Sequence, residues 1–99
     1  MAAYFVVNLD IYDPERFAAY RNGVAPLVEK FGGRYLVRGG DLYPIEGDLR
    51  LKRLVILEFP SVEAARQFYG SPEYAPLLRL RQETAHSDIV LVEGWSAPA

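Results

Sequence analysis

Residues 53–81, RLVILEFPSVEAARQFYGSPEYAPLLRLR, constrain the fold more than any other stretch. Val55, Leu57 and Phe59 alternate with Leu54, Ile56 and Glu58, so a strand over 51–59 is mostly apolar on both faces. That suits a central strand covered on two sides. Pro60 cannot extend it. Ser61 then has the chemistry of a helix N-cap, Glu63 complements the positive end of the helix dipole, and Ala64, Ala65, Phe68 and Tyr69 supply a packing face. Gly70 stops this short helix. Ser71-Pro72-Glu73 is a second start signal, for a helix carrying Tyr74, Leu77, Leu78 and Arg81.

The chain before this stretch reads as strand, helix, strand. Over 4–11, Phe5, Val7, Leu9 and Ile11 point one way and Tyr4, Val6, Asn8 and Asp10 the other. Asp13-Pro14-Glu15 opens a helix with a capping acid and a proline at its first position. Phe17, Tyr20, Val24, Leu27, Val28 and Phe31 follow at helical spacing. Gly23 and Pro26 interrupt the stripe and predict a kink or a restart near 23–26. Gly32-Gly33 ends the helix. RYLVR at 34–38 is a second strand, Gly39-Gly40 marks a bulge or close backbone approach, and 41–45 continues it as an edge before a turn at Glu46-Gly47-Asp48. IVLVEGW at 89–95 is the last strand, and the tail after it is loose.

The order is β-α-β-β-α-β, the split βαβ or ferredoxin-like pattern of the α+β class, in one domain over 1–99 with a four-stranded antiparallel sheet. Two helices cover one face of such a sheet. The other face carries an apolar set from every reading of the third strand, and an open sheet does not present such a surface to water. With 51% of 99 residues hydrophobic and 13% aromatic, the apolar load exceeds what a domain burying roughly 60–65% of its unfolded surface accommodates alone. Two sheets packing face to face as a homodimer is the expectation.

Composition excludes several functions. The net charge is −2, and nine Arg and two Lys are spread along the chain without the basic stripe that phosphate binding needs. No cysteine is present, so no disulfide framework or thiolate metal site is expected, and one histidine disfavours a histidine-based metal centre. The start lacks a basic n-region, and no apolar run approaches the roughly 18 residues of a membrane span. The expectation is a soluble cytoplasmic protein that binds neither nucleic acid nor membrane.

GGRYLVRGG at 32–40, EGD at 46–48, KRLVILEFPSVEAARQFYGSPEYAPLLRLR at 52–81 and LVEGW at 91–95 closely resemble the family of domain of unknown function 1330. The resemblance runs over nearly the whole chain. It implies a member of the dimeric α/β-barrel superfamily, whose ferredoxin-like subunits pair sheet to sheet. That superfamily includes cofactor-independent monooxygenases, chlorite dismutase and haem-degrading enzymes, muconolactone isomerase and ligand-sensing domains, so it implies no particular substrate.

Candidate chemistry centres on polar residues set in apolar strands. Asp10 and Glu58 can share Arg38, and a raised carboxyl pKa there makes a general acid or base; the ordinary alternative is a structural ion pair or a solvated strand end. The family pattern keeps Arg38-Gly39-Gly40 and Glu58 in these places. Asn8 belongs to the same polar set. Gly39 and Gly40 can admit a ligand phosphate, although no dinucleotide or Walker pattern accompanies them. His86-Ser87-Asp88 is a triad in name only, because adjacent strand residues leave on opposite faces; His86 alone is a candidate proton shuttle or haem ligand, against the plainer reading of a surface histidine. Tyr20, Tyr35, Tyr43, Tyr69, Tyr74 and Trp95 can line an aromatic pocket or simply pack, and Tyr69 and Tyr74 flank the Gly70 break, where side chains reach a cleft. Arg79 and Arg81 can bind an anion, but a solvated helix face is the plainer reading.

Two functional readings follow. One is a small dimeric enzyme performing cofactor-independent oxygenation or isomerisation of a small organic molecule, with Asp10 or Glu58 handling the proton and Arg38 steadying an anion. The other is a non-catalytic metabolite-binding or accessory dimer on the same fold.

Overall fold

The computed structural model describes residues 1–98. Its elements are β1 (Ala3–Ile11), α1 (Pro14–Lys30), β2 (Arg34–Arg38), β3 (Arg53–Phe59), α2 (Val62–Tyr69), α3 (Ala75–Thr84) and β4 (Ala85–Glu93). The strands form one antiparallel sheet in the order β2-β3-β1-β4. This is the ferredoxin-like α+β arrangement, with β1 and β3 central. One layer of helices covers one face of the sheet, and the molecule is only 16 Å thick along its shortest axis.

The alternation in β1 decides which face is covered. Ala3, Phe5, Val7 and Leu9 are buried under the helices, and Val55, Leu57 and Phe59 of β3 share their face. Phe59 and Phe68 of α2 lie 5.2 Å apart between ring centroids, with Phe5 edge-on to Phe59 at 5.8 Å. Phe17, Val24, Leu27 and Val28 complete the core from α1.

The helix ends follow local chemistry. Asp13 accepts from the Arg16 amide, and Ser61 accepts from the Ala64 amide at 3.0 Å. At the end of α1, Gly32 at φ 83° donates to the Glu29 carbonyl and Gly33 to that of Val28. These are the paired bonds of a Schellman cap, and they need a residue that tolerates the left-handed region.

Four expectations require correction. Helix α1 runs through Gly23 and Pro26 without a restart. Gly23 serves close packing instead: a Cβ there would lie 2.9 Å from Leu77 of α3. Residues 41–45 do not extend β2; Gly39 turns at φ 73°, and Pro44 has no amide to offer a neighbour. The Ser71 signal caps a turn rather than α3 itself. Its hydroxyl donates to the Phe68 carbonyl and accepts from the Tyr74 amide, and α3 begins only at Ala75. Finally, β4 starts at Ala85 rather than Ile89. Residues 85–88 have little intrinsic strand preference, but β1 offers a full ladder from Ile11 opposite Ala85 to Ala3 opposite Glu93. Tertiary pairing overrides the local preference.

Candidate functional site

A bulge in β2 sorts the polar residues between the two faces of the sheet. Arg34 pairs with Glu58 and Tyr35 with Leu57, but the next pair is Val37 with Ile56, so Leu36 is the extra residue. After it the alternation is inverted, and Arg38 sits opposite Val55 on the covered face. Its guanidinium lies 4.4 Å from the centroid of the Tyr35 ring.

The expected sharing of Arg38 by Asp10 and Glu58 therefore does not form. Glu58 is on the uncovered face, where Arg34 donates to its carboxylate at 2.7 Å. That hydrogen bond is the main reason its carboxyl titrates below the usual range; partial burial opposes it, and the Tyr4 hydroxyl adds to it. Asp10 also lies on the uncovered face, opposite His86 in the ladder. His86 is exposed, with Nε2 3.6 Å from the Asp88 carboxylate. Asn8 accepts from the Lys52 amide at 2.8 Å and so anchors the entry to β3. Among the described residues no group of three or more His, Cys, Asp or Glu side chains is placed to hold a metal ion.

Tyr69, Tyr74 and Arg38 gather elsewhere, around a cavity between the sheet and the helices. It gives about 60 Å³ of room to the centres of water-sized molecules and opens to solvent at its mouth. Phe5, Phe17, Phe68 and Leu57 give it apolar walls. Its polar lining consists of four tyrosines (Tyr20, Tyr35, Tyr69 and Tyr74) and four arginines (Arg21, Arg38, Arg53 and Arg81), without a carboxylate or a histidine.

Arg81 corrects the sequence reading most sharply. It is 5% exposed, not solvated. Its Nη1 donates to the Tyr74 hydroxyl at 2.7 Å and its Nη2 to the Tyr69 hydroxyl at 3.2 Å. The Tyr74 and Tyr20 hydroxyls are 2.8 Å apart, extending the chain to α1. Burial pushes the Tyr74 phenol well above its ordinary value, so it remains a neutral hydroxyl at physiological pH. Burial is the largest influence on Arg81 and disfavours its charge; the oxygens of Tyr74 and Tyr69 favour it, and the guanidinium stays cationic. Arg79 is exposed, as its reading on a solvated face requires.

Gly39 contributes by its lack of a side chain. A Cβ there would fall 2.4 Å from the Arg53 guanidinium, so the glycine leaves room for that head group at the cavity. Gly40 meets nothing within 4 Å. Arg21 and Arg53 were not singled out from the sequence, yet the signal was present. Arg53 has the parity of Val55, Leu57 and Phe59, and Arg21 follows Phe17 by one helical turn.

This architecture is the ferredoxin-like α+β fold, here with a tyrosine- and arginine-lined cavity between its sheet and its helices. The chain belongs to the family described as domain of unknown function (DUF1330), whose model matches residues 2–95. No curated protein matches it in sequence. Among solved structures it is similar to RPA0582 of Rhodopseudomonas palustris, a protein of unknown function. The TM-score is 0.75 at 22% identity, covering 97% of this chain and 84% of that one. It is also similar to SnoaB of Streptomyces nogalater, described as a cofactor-independent oxygenase. There the TM-score is 0.65 at 16% identity, over 97% and 95% of the two chains. The hypothetical Arabidopsis thaliana protein At3g17210 gives a TM-score of 0.66 at 15% identity, over 98% and 91%. At these identities the likeness establishes the shared fold. Among the described residues no helix is long and apolar enough to cross a membrane.

Proposed function

We propose that this chain forms a homodimer with a small-molecule pocket in each subunit, and that it acts on a small, partly apolar organic compound by cofactor-independent oxygenation or isomerisation. The observation that carries this reading is the cavity itself: aromatic walls with a few convergent polar groups are what small-molecule sites are made of. SnoaB, which shares the fold, is described as a cofactor-independent oxygenase. The guanidiniums would stabilise charge developing on the substrate, and Tyr69 or Tyr74 would donate a hydrogen bond to it. Asp10 and Glu58 have no part in this scheme, because they lie on the other face of the sheet. The dimer is supported by the apolar residues on that same uncovered face.

A metabolite-binding dimer without turnover is the second reading. It is favoured by the absence of a carboxylate or histidine from the cavity lining, which leaves no side chain there to act as a base near neutral pH. Enzymatic deprotonation would then rely on the substrate's own acidity.

Thermal-shift screening of small organic compounds tests for the pocket, since a bound ligand raises the melting temperature by mass action. Incubating the hits with the protein under oxygen, with product analysis, separates the two readings. Under the enzymatic reading Arg38→Met loses turnover while Glu58→Gln keeps it. Binding without any chemical change supports the second reading, and equal losses in both variants would remove the cavity as the site of chemistry.

A further inference from the structure

Nine arginines are distributed unevenly between partners. Arg16, Arg34 and Arg50 have carboxylates within salt-bridge distance, all at the surface. Arg21, Arg38, Arg53 and Arg81 all line the cavity, and among the described residues none of the four is paired with a carboxylate. A chain of net charge −2 has thus placed four positive charges around one hole and excluded its acids from it.

Arg81 makes the demand specific. It is 95% buried, its Nη atoms meet only neutral phenols, and its Nε has no hydrogen-bond partner. A buried cation without a counter-ion is costly, because the lost hydration is only partly replaced by neutral acceptors. Tyr69 points to the same conclusion. Its hydroxyl oxygen accepts from Arg81, and its own proton has no acceptor among the described residues, so it is available to an acceptor in the cavity. Phe5, Phe17 and Phe68 line the same cavity, and aromatic walls suit a flat apolar body.

We infer that the cavity is built for an anion: a flat aromatic carboxylate, or an enolate or phenolate of similar shape, whose charged oxygen lies among these guanidiniums and the Tyr69 hydroxyl while its ring packs against the phenylalanines. The inference rests on the cavity being the ligand site and names the class of molecule that site takes. The graded exposure of the arginines fits such a ligand. Arg38 is exposed, Arg21 and Arg53 are half-buried, and Arg81 is buried, so positive charge runs from the mouth to the floor.

The test is a matched panel of aryl carboxylates and their neutral carboxamides: benzoate with benzamide, salicylate with salicylamide, and 1-naphthoate with 1-naphthamide. Binding is followed by protein NMR at cavity-lining residues. The expected result is that the carboxylates bind and the amides bind about tenfold or more weaker, the scale of a charge-assisted hydrogen bond. Arg38→Met and Tyr69→Phe should each weaken the carboxylates several-fold and weaken the amides much less, because only the carboxylates make charge-assisted bonds to these groups. Arg81→Lys keeps a charge at the floor; if Arg81→Met does not fold, the other two variants still decide the matter. Amides binding as tightly as carboxylates, or carboxylates indifferent to both Arg38→Met and Tyr69→Phe, would overturn the anion while leaving the pocket intact. If neither half of the panel perturbs any cavity residue, the pocket reading falls and the inference with it.

Discussion

The Arg38 guanidinium lies over the Tyr35 ring, 4.4 Å from its centroid, although the two residues are three apart in a strand. In a regular strand such residues leave on opposite faces. The contact exists because Leu36 is the extra residue of the bulge, which returns Arg38 to the cavity and leaves Arg34 outside with Glu58. Arg38→Met should therefore cost only about 0.5–1 kcal/mol, the scale of an exposed cation–π contact. Urea melts measure that cost. Arg34→Met, four residues earlier, should leave 1-naphthoate binding unchanged in the same NMR assay.

Tyr74 is a hub between α1 and α3, and its removal should cost more than the loss of one ordinary hydrogen bond. Tyr74→Phe strips the Arg81 Nη1 of its acceptor and the Tyr20 hydroxyl of its neighbour inside the protein. A buried charged donor left unmatched costs about 1–3 kcal/mol or more. Tyr20→Phe breaks one neutral bond and leaves Arg81 satisfied, so about 0.5–1.5 kcal/mol is expected. Because both changes break the same Tyr20–Tyr74 contact, the double variant should lose less than the sum. Equal costs for the two single variants would show that the Arg81 bond contributes little.

Much of this fold is legible in the sequence because each signal is local. The alternation of β1, the caps at Asp13 and Ser61, and the Gly32-Gly33 ending depend on neighbours within a few residues. What was not legible depends on pairing across the sheet. RYLVR contains no glycine or proline to announce a bulge, so the face of Arg38 was undecided, and His86-Ser87-Asp88 has no strand signal of its own. The candidate site divides along the same line. Tyr69 and Tyr74 were readable from the break they flank. Glu58 and Asp10 were readable as out of phase with the buried residues, but which face held a cavity was not. Arg81 was misread because a charge on a helix is normally solvated, and its partners are two phenols reached only once the helices pack.

The paired glycines of the RGG motif should respond differently to substitution. Gly39 has φ 73°, and a Cβ there would collide with the Arg53 guanidinium. Gly39→Ala should cost about 1–2 kcal/mol for the left-handed backbone and displace Arg53 from the mouth. Gly40 meets nothing within 4 Å, so Gly40→Ala should stay within about 0.5 kcal/mol. Denaturant melts and 1-naphthoate titrations of both variants check the contrast. Similar behaviour of the pair would mean that Arg53 gives way freely.

Acid should weaken the protein partly through Glu58. Its folded-state pKa is depressed, chiefly by the Arg34 hydrogen bond. A group of this kind contributes stability that is fully present above its unfolded value and is lost as pH falls through the folded value. The melting temperature should therefore drop below the ordinary glutamate range. Glu58→Gln, which cannot titrate, should show a shallower drop over that interval. Identical acid profiles for the two proteins would show that the ion pair is too well solvated to matter.

The uncovered face carries an apolar row across all four strands: Val37 opposite Ile56, Ile56 opposite Val6, and Val6 opposite Val90. Val90 is 61% exposed at the β4 edge, and Leu36 and Val92 are exposed around the row. The proposed dimer would place a second copy of this face against it, an isologous contact that sets the row against its own image. A stable interface needs about 800 Å² from each partner, and one face of a four-stranded sheet is of that order. Light scattering at micromolar concentration should therefore give a particle of twice 11.2 kDa. Ile56→Asp puts a charge at the centre of the row and should shift it to the monomer. His86→Ala, at the polar end of the same face, should leave the dimer intact. A wild-type particle of monomer mass would remove the dimer, and a dimer that survives Ile56→Asp would place its interface elsewhere.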